Sequence, residues 1–452
     1  MGLPTNHNTF PERRSSPRPA ASAASVSAGP LDVSAVGAQF SLVEAGRKMK
    51  RPLAYLDNAA TTHKPECVLA AQEYFYRWAN ANADRGVYPL AELSTELYEK
   101  ARCMAAAFVG AADDEIVFTS GATAALNLVA YAYGASRLTS GDEVVLTVAE
   151  HHSNLLPWQA VAKFTGAKLV YLLPDEEGRI SDEEIAAKVG SRTKIAAVAH
   201  VSNVLGSVQP VRRIADAVHA FGGVLVADCA QSVAHLPVDA RALGADFLAF
   251  SGHKMFAPMG TGVLYGRREL LEGMEPLLRG GGMIESVFEQ SAVFASVPTR
   301  FEAGTPNIAG AVGLAEAMRF ILELGYDAVR DHEQQLLKRL LAGLAAIPGV
   351  RVHGMARADD AFGDHAPLRC GVVSFNVAGV DANDVAAALA RDNVAIRAGA
   401  HCAEPLVRFL GERATCRVSL ALYNTEEDVD RFLDSVEHAK RTVSRMLMAS
   451  MH

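Results

Sequence analysis

Residues 246–255 of the chain read DFLAFSGHKM, an apolar run that ends in a glycine, a histidine and a lysine. The run DFLAFS predicts a buried strand, and the residues after Ser251 predict a turn. Burial of a lysine at such a position lowers its pKa, because the charged form loses solvation. An unprotonated amine is a nucleophile that can form a Schiff base with a carbonyl compound. Lys254 is therefore a candidate catalytic residue, and an ordinary solvated loop lysine is the alternative.

The same strand-and-turn pattern repeats on both sides of this stretch. The apolar runs that predict strands are EIVFTS, EVVLTV, KLVYLLP, KIAAVAHV, GVLVADCA, DFLAFS and GVLYGR. Helical segments such as VRRIADAVHAFG separate several of them. The alternation predicts an α/β fold with a mostly parallel, seven-stranded sheet covered on both faces. Ligands bind at the carboxyl ends of the strands in such sheets, which is where Lys254 is expected.

The pattern changes near Pro306, where long helical runs and shorter strands replace the regular alternation. A chain of 452 residues is long enough for two packed domains. We expect a large α/β domain at residues 46–305 and a smaller α+β domain at residues 306–452. Residues 46–60 can also pack with the smaller domain.

Residues 1–45 form an extension rich in Ala, Ser, Pro and Arg. A disordered extension and an organelle transit peptide both fit this composition. Its prolines disfavour the amphipathic helix of a mitochondrial signal. We therefore expect a cytoplasmic protein, with a plastid or mitochondrial location as the alternative.

The overall composition excludes several classes of partner. A net charge of −8 gives no reason to expect nucleic acid or an anionic membrane surface. No run of apolar residues is long enough to span a bilayer. The cysteines lack CxxC spacing, so we expect mostly buried thiols of a reducing compartment; they are Cys67, Cys103, Cys229, Cys370, Cys402 and Cys416.

Two features near the predicted sheet edge suit pyridoxal 5′-phosphate (PLP). The strand GVLVADCA contains Asp228, and Gln231 follows it. A carboxylate that faces the pyridine nitrogen of PLP keeps that nitrogen protonated, although a capping role for Asp228 is the alternative. The turn TSGAT contains Gly121 and places backbone N–H groups at a helix N-terminus, which suits a phosphate. The turn has neither a Walker sequence nor GxGxxG, so a nucleotide is disfavoured.

The segment EHHSN places His151 and His152 next to each other after a predicted strand. Neighbouring side chains at a strand end point in opposite directions, so the pair does not suit a shared metal ion. One imidazole can instead cover a planar cofactor ring.

The segment RAGAHCAEP brings Arg397, His401 and Cys402 together. A cysteine beside basic residues in a loop of small residues has the setting of a reactive thiol. Cys103 and Cys370 lie in apolar runs and fit inert core cysteines better. In CRVSLALYN, Arg417 can bind a carboxylate through two N–H groups, and a surface ion pair is the alternative.

Together these segments resemble the class V aminotransferase family, and within it the Suf-type (group II) cysteine desulfurases and selenocysteine lyases. The matching segments run in order from about Leu53 to about Val443: YLDNAATTHKP, EHHSNLLPWQ, HVSNVLG, SGHKM, FEAGTPN, HCAEPL and CRVSLALYNT. The resemblance implies PLP-dependent transferase fold type I and a homodimer with active sites at the subunit interface. It implies PLP as cofactor and no metal ion.

The resemblance also implies the roles of individual residues. The catalytic residues are Lys254, which binds PLP and moves the substrate Cα proton, Cys402, which takes the sulfur, and His151, which stacks on the ring. The residues implied to bind the cofactor are Gly121, Ala122, Thr123, His151, Asn203, Asp228, Gln231, Ser251, His253, Lys254 and, from the other subunit, Thr305. The residues implied to bind the substrate are Asn203, Arg397 and Arg417.

The implied reaction removes sulfur from L-cysteine, gives L-alanine and a persulfide on Cys402, and supplies iron–sulfur cluster assembly. The short segment 397–411 resembles group II members, which pass the persulfide to an acceptor protein of the SufE or SufU type. One alternative is a selenocysteine lyase, acting on L-selenocysteine, or another class V PLP lyase. A non-enzymatic sulfur-transfer scaffold is the other.

Three positions depart from the family pattern. Relatives usually carry His at the position of Tyr88, Thr at that of Ala122, and often His or Gln at that of Ala400. We expect the missing hydroxyl at Ala122 to weaken one phosphate contact by about 1 kcal/mol. Tyr88 is expected near the substrate entrance, where it affects substrate preference or rate.

Overall fold

The structure is a computed structural model that describes residues 29–83, 86–357 and 368–450. Residues 1–28 of the predicted extension lie outside the described residues. The strands are β1 (Ala54–Tyr55), β2 (Ile116–Thr119), β3 (Glu143–Thr147), β4 (Lys168–Leu172), β5 (Thr193–Ala199), β6 (Val224–Asp228), β7 (Phe247–Ser251), β8 (Gly262–Gly266), β9 (Ile284–Val287), β10 (Ala292–Phe294), β11 (Val350–Val352), β12 (Val372–Val377), β13 (Val394–Ala395), β14 (Arg397–Gly399) and β15 (Thr415–Ser419).

The α-helices are α1 (Val33–Gly37), α2 (Ser41–Arg47), α3 (Glu66–Tyr74), α4 (Pro89–Val109), α5 (Ala122–Leu128), α6 (Ala135–Arg137), α7 (Leu156–Thr165), α8 (Asp182–Lys188), α9 (Val211–His219), α10 (Arg268–Glu272), α11 (Ile308–Leu324), α12 (Tyr326–Ala346), α13 (Ala382–Arg391), α14 (Glu404–Phe409) and α15 (Glu426–Ser450). Two π-helical segments, Phe75–Ala79 and Val129–Gly134, extend α3 and α5. Short 3₁₀ turns occur at Asp113–Glu115, His152–Asn154, Gly252–Lys254 and Thr299–Phe301.

The central sheet has seven strands in the order β2-β8-β7-β6-β5-β3-β4. Only β8 pairs antiparallel to its neighbours. All seven apolar runs of the sequence form these strands, so the predicted α/β fold is confirmed. The parallel strands β3, β5, β6 and β7 direct their carboxyl ends to the same edge, where the polar residues follow.

The two faces of this sheet pack against separate apolar cores. In β7, Phe247 and Ala249 belong to one core, while Leu248 and Phe250 belong to the other. This alternation follows from the two-residue period of a strand, and it explains why the runs are apolar at every position. Because both faces are covered by apolar groups, polar chemistry is confined to the strand ends.

The C-terminal part of the chain has its own sheet of four strands, in the order β11-β12-β15-β14. Helices α12, α13 and α15 contribute to the apolar core that covers it, together with Ala54 and Leu56 from the N-terminal side. Strand β1 pairs in parallel with β13, so residues 54–55 join this smaller unit. The register of β14 on β15 places Arg397 directly opposite Arg417.

The last part of the predicted extension packs on the core. Residues 29–45 belong to that extension, yet the chain forms α1 and α2 there, with α2 ending at Arg47. Phe40, which lies between the two helices, is fully buried against the rings of Phe256, Phe320 and Tyr423. Val36 of α1 is buried in the same core.

Candidate active site

A cavity of about 220 Å³ lies at the carboxyl ends of the parallel strands, between the large sheet and the C-terminal unit. Twelve of the residues singled out in the sequence line its wall: Ala122, Thr123, His151, Asn203, Asp228, Gln231, Ser251, His253, Lys254, Arg397, His401 and Arg417. Gly121 lies next to the wall as the residue before α5. The cavity therefore gathers most of the predicted site in one place.

Lys254 is held in a short turn directly after β7. The turn needs glycine at position 252, because a Cβ atom there would lie 2.3 Å from the Thr261 hydroxyl oxygen. Burial lowers the pKa of Lys254 and outweighs the opposing charge of Asp228, which is the next largest influence; Arg417 acts in the same direction as burial. A lowered pKa increases the neutral fraction of the amine, which is its nucleophilic form.

Asp228 ends β6 beside this lysine, and it is only 6% exposed. Its carboxylate accepts one backbone N–H, from Ala230 at 3.0 Å. Burial raises its pKa, although Ala230 and the charge of Lys254 act against the shift. A buried carboxylate with one short backbone contact is suited to a cationic ring nitrogen of a bound ligand.

The N-terminus of α5 forms one end of the cavity. The backbone N–H of Ala122 donates to the hydroxyl of Ser251 at 2.8 Å, and the hydroxyls of Thr123 and Ser153 lie 2.7 Å apart. Gly121 has a φ of 145°, and a Cβ atom there would lie 3.2 Å from the Ser251 hydroxyl. Hydroxyls grouped at a helix N-terminus bind anions, so this end fits a phosphate.

His151 lies on the cavity wall as a neutral imidazole. Its pKa is lowered to about 3, first by burial and then by the charge of Lys254. The backbone N–H of Ser153 donates to its Nδ1 at 3.1 Å, so the ring proton resides on Nε2. A neutral ring held in this way suits stacking on a planar group.

Asn203 and Gln231 connect the cavity wall to other segments. The amide of Gln231 donates to the carbonyl oxygen of Ala59 at 2.9 Å. The amide of Asn203 donates to the carbonyl oxygen of His401 at 2.8 Å. His253 also lines the cavity, and burial lowers its pKa to about 4, so it is neutral near pH 7.

Arg417 and Arg397 form the opposite end, on neighbouring strands. Arg417 is 1% exposed; it donates to Asp57 at 3.0 Å and to the carbonyl oxygen of Asn203 at 3.1 Å. Its buried Nε has no partner within the described protein. Two guanidinium groups beside one carboxylate leave excess positive charge, and an unpartnered donor, for a small carboxylate ligand.

Cys402 lies beside this basic end but outside the cavity wall. The guanidinium of Arg397 approaches its Sγ to 3.8 Å. The backbone is unusual here, since His401 and Cys402 have φ values of 54° and 57°. Residues other than glycine rarely adopt this left-handed region, so the loop must be held by its contacts.

Cys103 differs from the expectation of a core cysteine. It is exposed on α4, and its Sγ lies 3.0 Å from a carboxylate oxygen of Asp113. Burial of the sulfur and this carboxylate raise its pKa to about 11, which keeps the thiol protonated. Cys370 is buried as expected, and all six cysteines are free thiols.

Two other expectations concern residues away from the wall. Thr305 is exposed between the turn at Thr299–Phe301 and α11, and it does not line this chain's cavity. Tyr88 is half exposed before α4 and is also absent from the wall. A role for Thr305 from a second subunit remains a prediction.

The structure adds residues that the sequence did not single out. Asp57 is the ion-pair partner of Arg417, and Ser153 contacts both Thr123 and His151. Glu150 is buried and accepts from the hydroxyl of Thr147 at 2.7 Å; burial raises its pKa to about 7. Asp57 and Ser153 lie inside segments that match the family, and that match was the signal that could have identified them. Their contacts could not be predicted, because the partner of Asp57 is distant in the sequence and the contacts of Ser153 depend on a turn.

PLP fits this donor set. The amine, the buried acid, the hydroxyl-lined helix end and the neutral imidazole correspond to its aldehyde, ring nitrogen, phosphate and ring face. In the part of the chain that the structure describes, no group of three or more His, Cys, Asp or Glu side chains is arranged for a metal ion. Within the same ranges, no helix is both long and apolar enough to cross a membrane.

Comparisons with known proteins agree with this site. The family model described as aminotransferase class-V matches residues 54–432. A protein of Halalkalibacterium halodurans named "Probable cysteine desulfurase" is 45% identical over 390 residues, covering 86% of this chain and 93% of its own length. A protein of the same name from Staphylococcus epidermidis is 43% identical and covers 92% of this chain and 98% of itself.

Solved structures give the same result. The apo structure of a cysteine desulfurase from Thermococcus onnurineus NA1 superposes with a TM-score of 0.82 and 39% identity, over 88% of this chain and 98% of that one. The cysteine desulfurase CsdA from Escherichia coli superposes with a TM-score of 0.82 and 37% identity, over 92% of this chain and 100% of that one.

Proposed function

The chain belongs to the aminotransferase class-V family, and we propose that it is a PLP-dependent cysteine desulfurase. One observation carries the proposal: the cysteine loop, residues 397–404 with Cys402, adjoins the cavity lined by Lys254, Asp228 and Arg417. The relatives named above support the same reaction. The products are L-alanine and a persulfide on Cys402.

The cofactor, when bound, supplies an electron sink for the pair left at the substrate Cα. Lys254 binds the cofactor through its amine and is placed to take and return the Cα proton, because its lowered pKa leaves the amine partly neutral. Asp228 holds the proton on the ring nitrogen. His151 covers the ring without adding charge.

Arg417 orients the substrate by binding the substrate carboxylate, and Arg397 lies beside it at the basic end of the cavity. A cysteine held there by its carboxylate, with its amino group toward Lys254, directs its short side chain toward the cysteine loop. Asn203 supports this arrangement, since its backbone carbonyl accepts from Arg417 and its amide donates to His401.

Cys402 then accepts the sulfur. Its thiolate attacks the substrate sulfur, a new S–S bond forms, and the C–S bond breaks with its electron pair moving to the substrate Cβ. That carbon gains a proton, so cysteine and the thiol become alanine and the persulfide. No external oxidant or reductant is needed.

We further propose a homodimer in which Thr305 reaches the other subunit's site, and transfer of the persulfide to an acceptor of the SufE or SufU type for iron–sulfur cluster assembly. Exposed apolar side chains such as Tyr76, Trp78 and Met259 support a subunit interface.

A cytoplasmic location is favoured by six free thiols.

Alanine release by the PLP-loaded protein tests the proposal. We expect release from L-cysteine, stimulation by an acceptor protein, and one added sulfur atom on the peptide that contains Cys402. Release from L-selenocysteine alone would identify a selenocysteine lyase. Release from neither substrate would leave the non-enzymatic scaffold.

A further inference from the structure

The backbone around Cys402 depends on contacts with other segments. His401 and Cys402 both adopt the left-handed region, and Gly399, with a φ of 128°, precedes them. Two consecutive residues with side chains do not hold such a conformation unaided. Other segments must therefore hold the cysteine loop, residues 397–404, in this conformation.

Two contacts hold His401. Its backbone carbonyl accepts from the amide of Asn203 at 2.8 Å, and its Nε2 lies 3.0 Å from the carbonyl oxygen of Thr415. These contacts fix the residue before the nucleophile. They do not reach Cys402 or Glu404, the residues on either side of buried Ala403.

His152 contacts the loop at both of these residues. Its backbone N–H donates to the carbonyl oxygen of Cys402 at 2.8 Å. Its Nε2 contacts the carboxylate of Glu404, the first residue of α14. His152 therefore contacts the loop at two positions, Cys402 and Glu404.

The position of His152 links these contacts to the active site. It follows His151 directly, and the 3₁₀ turn at His152–Asn154 is anchored by buried Asn154, whose amide donates to Glu150 at 2.7 Å. The turn that presents His151 to the cofactor thus also holds the loop that presents the thiol.

We propose that His152 and Glu404 form a clasp that positions the thiol of Cys402 for sulfur transfer. Both are positioning residues, because they act through the loop and do not line the cavity. An isolated contact between two polar side chains on the surface contributes little. This contact is joined to a backbone hydrogen bond from the same histidine, and it connects the large sheet to the C-terminal unit. The inference rests on the proposed function, since the positioned group is its nucleophile.

The test compares His152→Leu, His152→Gln and Glu404→Gln in the PLP-loaded enzyme. Leucine removes the donor, whereas the amide of glutamine can still donate to Glu404. We expect His152→Leu and Glu404→Gln to lower the kcat of alanine release at least threefold with KM within twofold. The double variant should be no worse than the poorer single one, and His152→Gln should retain most of the kcat.

A matched control is His438→Ala, because His438 forms a similar pair with Asp392, at 3.3 Å, on the surface of the C-terminal unit. It should leave kcat unchanged. The cofactor absorbance spectrum should be the same in all variants, which shows that the site is intact.

Hydrogen exchange of the peptide covering residues 397–411 gives a second readout that needs no turnover. Faster exchange confined to this peptide in His152→Leu and Glu404→Gln supports the clasp. Unchanged exchange and kcat in both variants would overturn it, and so would a loss in His152→Gln equal to that in His152→Leu. If the wild-type protein releases no alanine, the proposed function fails, and exchange alone still decides whether the clasp exists.

Discussion

The two sides of the cavity hold their reactive groups in different ways. The sheet side consists of Asp228, Ser251 and Lys254, all at strand ends or in the turn that follows β7. The cysteine loop instead contains left-handed residues and a partly exposed thiol, held by side chains of distant segments. On the sheet side, burial shifts the pKa values of Asp228 and Lys254. The cysteine loop instead positions its thiol through hydrogen bonds and side-chain contacts with other segments.

This difference matches what each side must do. A group that holds a cofactor through every turnover benefits from a rigid, dry environment, because burial fixes both its geometry and its pKa. In the proposed reaction the thiol passes its sulfur to an acceptor protein, and a thiol with that role needs access and movement. Substitutions on the two sides should consequently fail in different ways.

Lys254→Ala tests the sheet side and should have the largest effect. We expect no measurable turnover on any substrate, because both cofactor attachment and Cα proton transfer depend on this amine. Alanine release and the absorbance of the bound cofactor are the measurements. Turnover near the wild-type rate would remove Lys254 from its assigned role.

Cys402→Ala tests the loop side and should separate the two functions. The variant should bind PLP and cysteine normally, because Lys254, Asp228 and Arg417 are unchanged. It should release no alanine from cysteine, while some activity on selenocysteine persists because the weaker C–Se bond needs less help from a thiol. Full activity on cysteine would refute the sulfur-transfer step and leave the cofactor assignment intact.

Alkylation of the native enzyme sharpens the same comparison, because Cys103 is accessible but is held as a thiol by a pKa of about 11. Peptide mapping should find Cys402 labelled first, ahead of both Cys103 and buried Cys370. Earlier labelling of Cys103 would show that exposure, and not the basic setting, controls reactivity.

Asp228→Asn should have a smaller effect on the sheet side. The substitution keeps the size of the side chain and removes the charge that holds the ring nitrogen protonated. We expect a rate loss of at least about 10²-fold with the fold intact, as for the loss of one preorganised electrostatic group. If PLP binds normally and the rate falls less than threefold, Asp228 is not the ring partner.

His200→Asn should have the smallest effect, on stability alone. Burial lowers the pKa of His200 from 6.5 to about 4, so between these values the unfolded chain binds more protons than the folded one. The free energy of unfolding should therefore decrease as the pH falls from 6.5 to 4. Asparagine should reduce that slope by up to about 1.4 kcal/mol per pH unit, measured by urea unfolding. An unchanged slope would show that folding does not lower the pKa of His200.

The sequence predicted the sheet side well, because a strand buried on both faces is apolar throughout and its end is visible in the letters. Asp228 and Lys254 were found in this way. The ion pair of Arg417 with Asp57 was not predicted, since Arg417 lies in β15 and Asp57 follows β1, and only the tertiary fold brings them together. The segment around Asp57 is short and has no periodic pattern of apolar residues, so the sequence does not indicate a distant partner.

Cys103 shows a second reason for failure. Its run, ARCMAAAFV, is apolar enough to indicate a core, but an α-helix turns about 100° per residue. Ala101, Arg102 and Ala105 face inward, which leaves Cys103 outside. The buried arginine on the inner face, paired with Glu302, is what an apolar pattern cannot predict.

The buried ring of Phe40 sets a practical limit on how far the chain can be shortened. The family match begins at residue 54, so an expression clone cut at that boundary would lose α1, α2 and this ring. The hole would open beside Phe256, two positions beyond Lys254, and beside Tyr423 in the C-terminal unit. A truncated product would therefore lose the packing that joins the segment after β7 to the C-terminal unit.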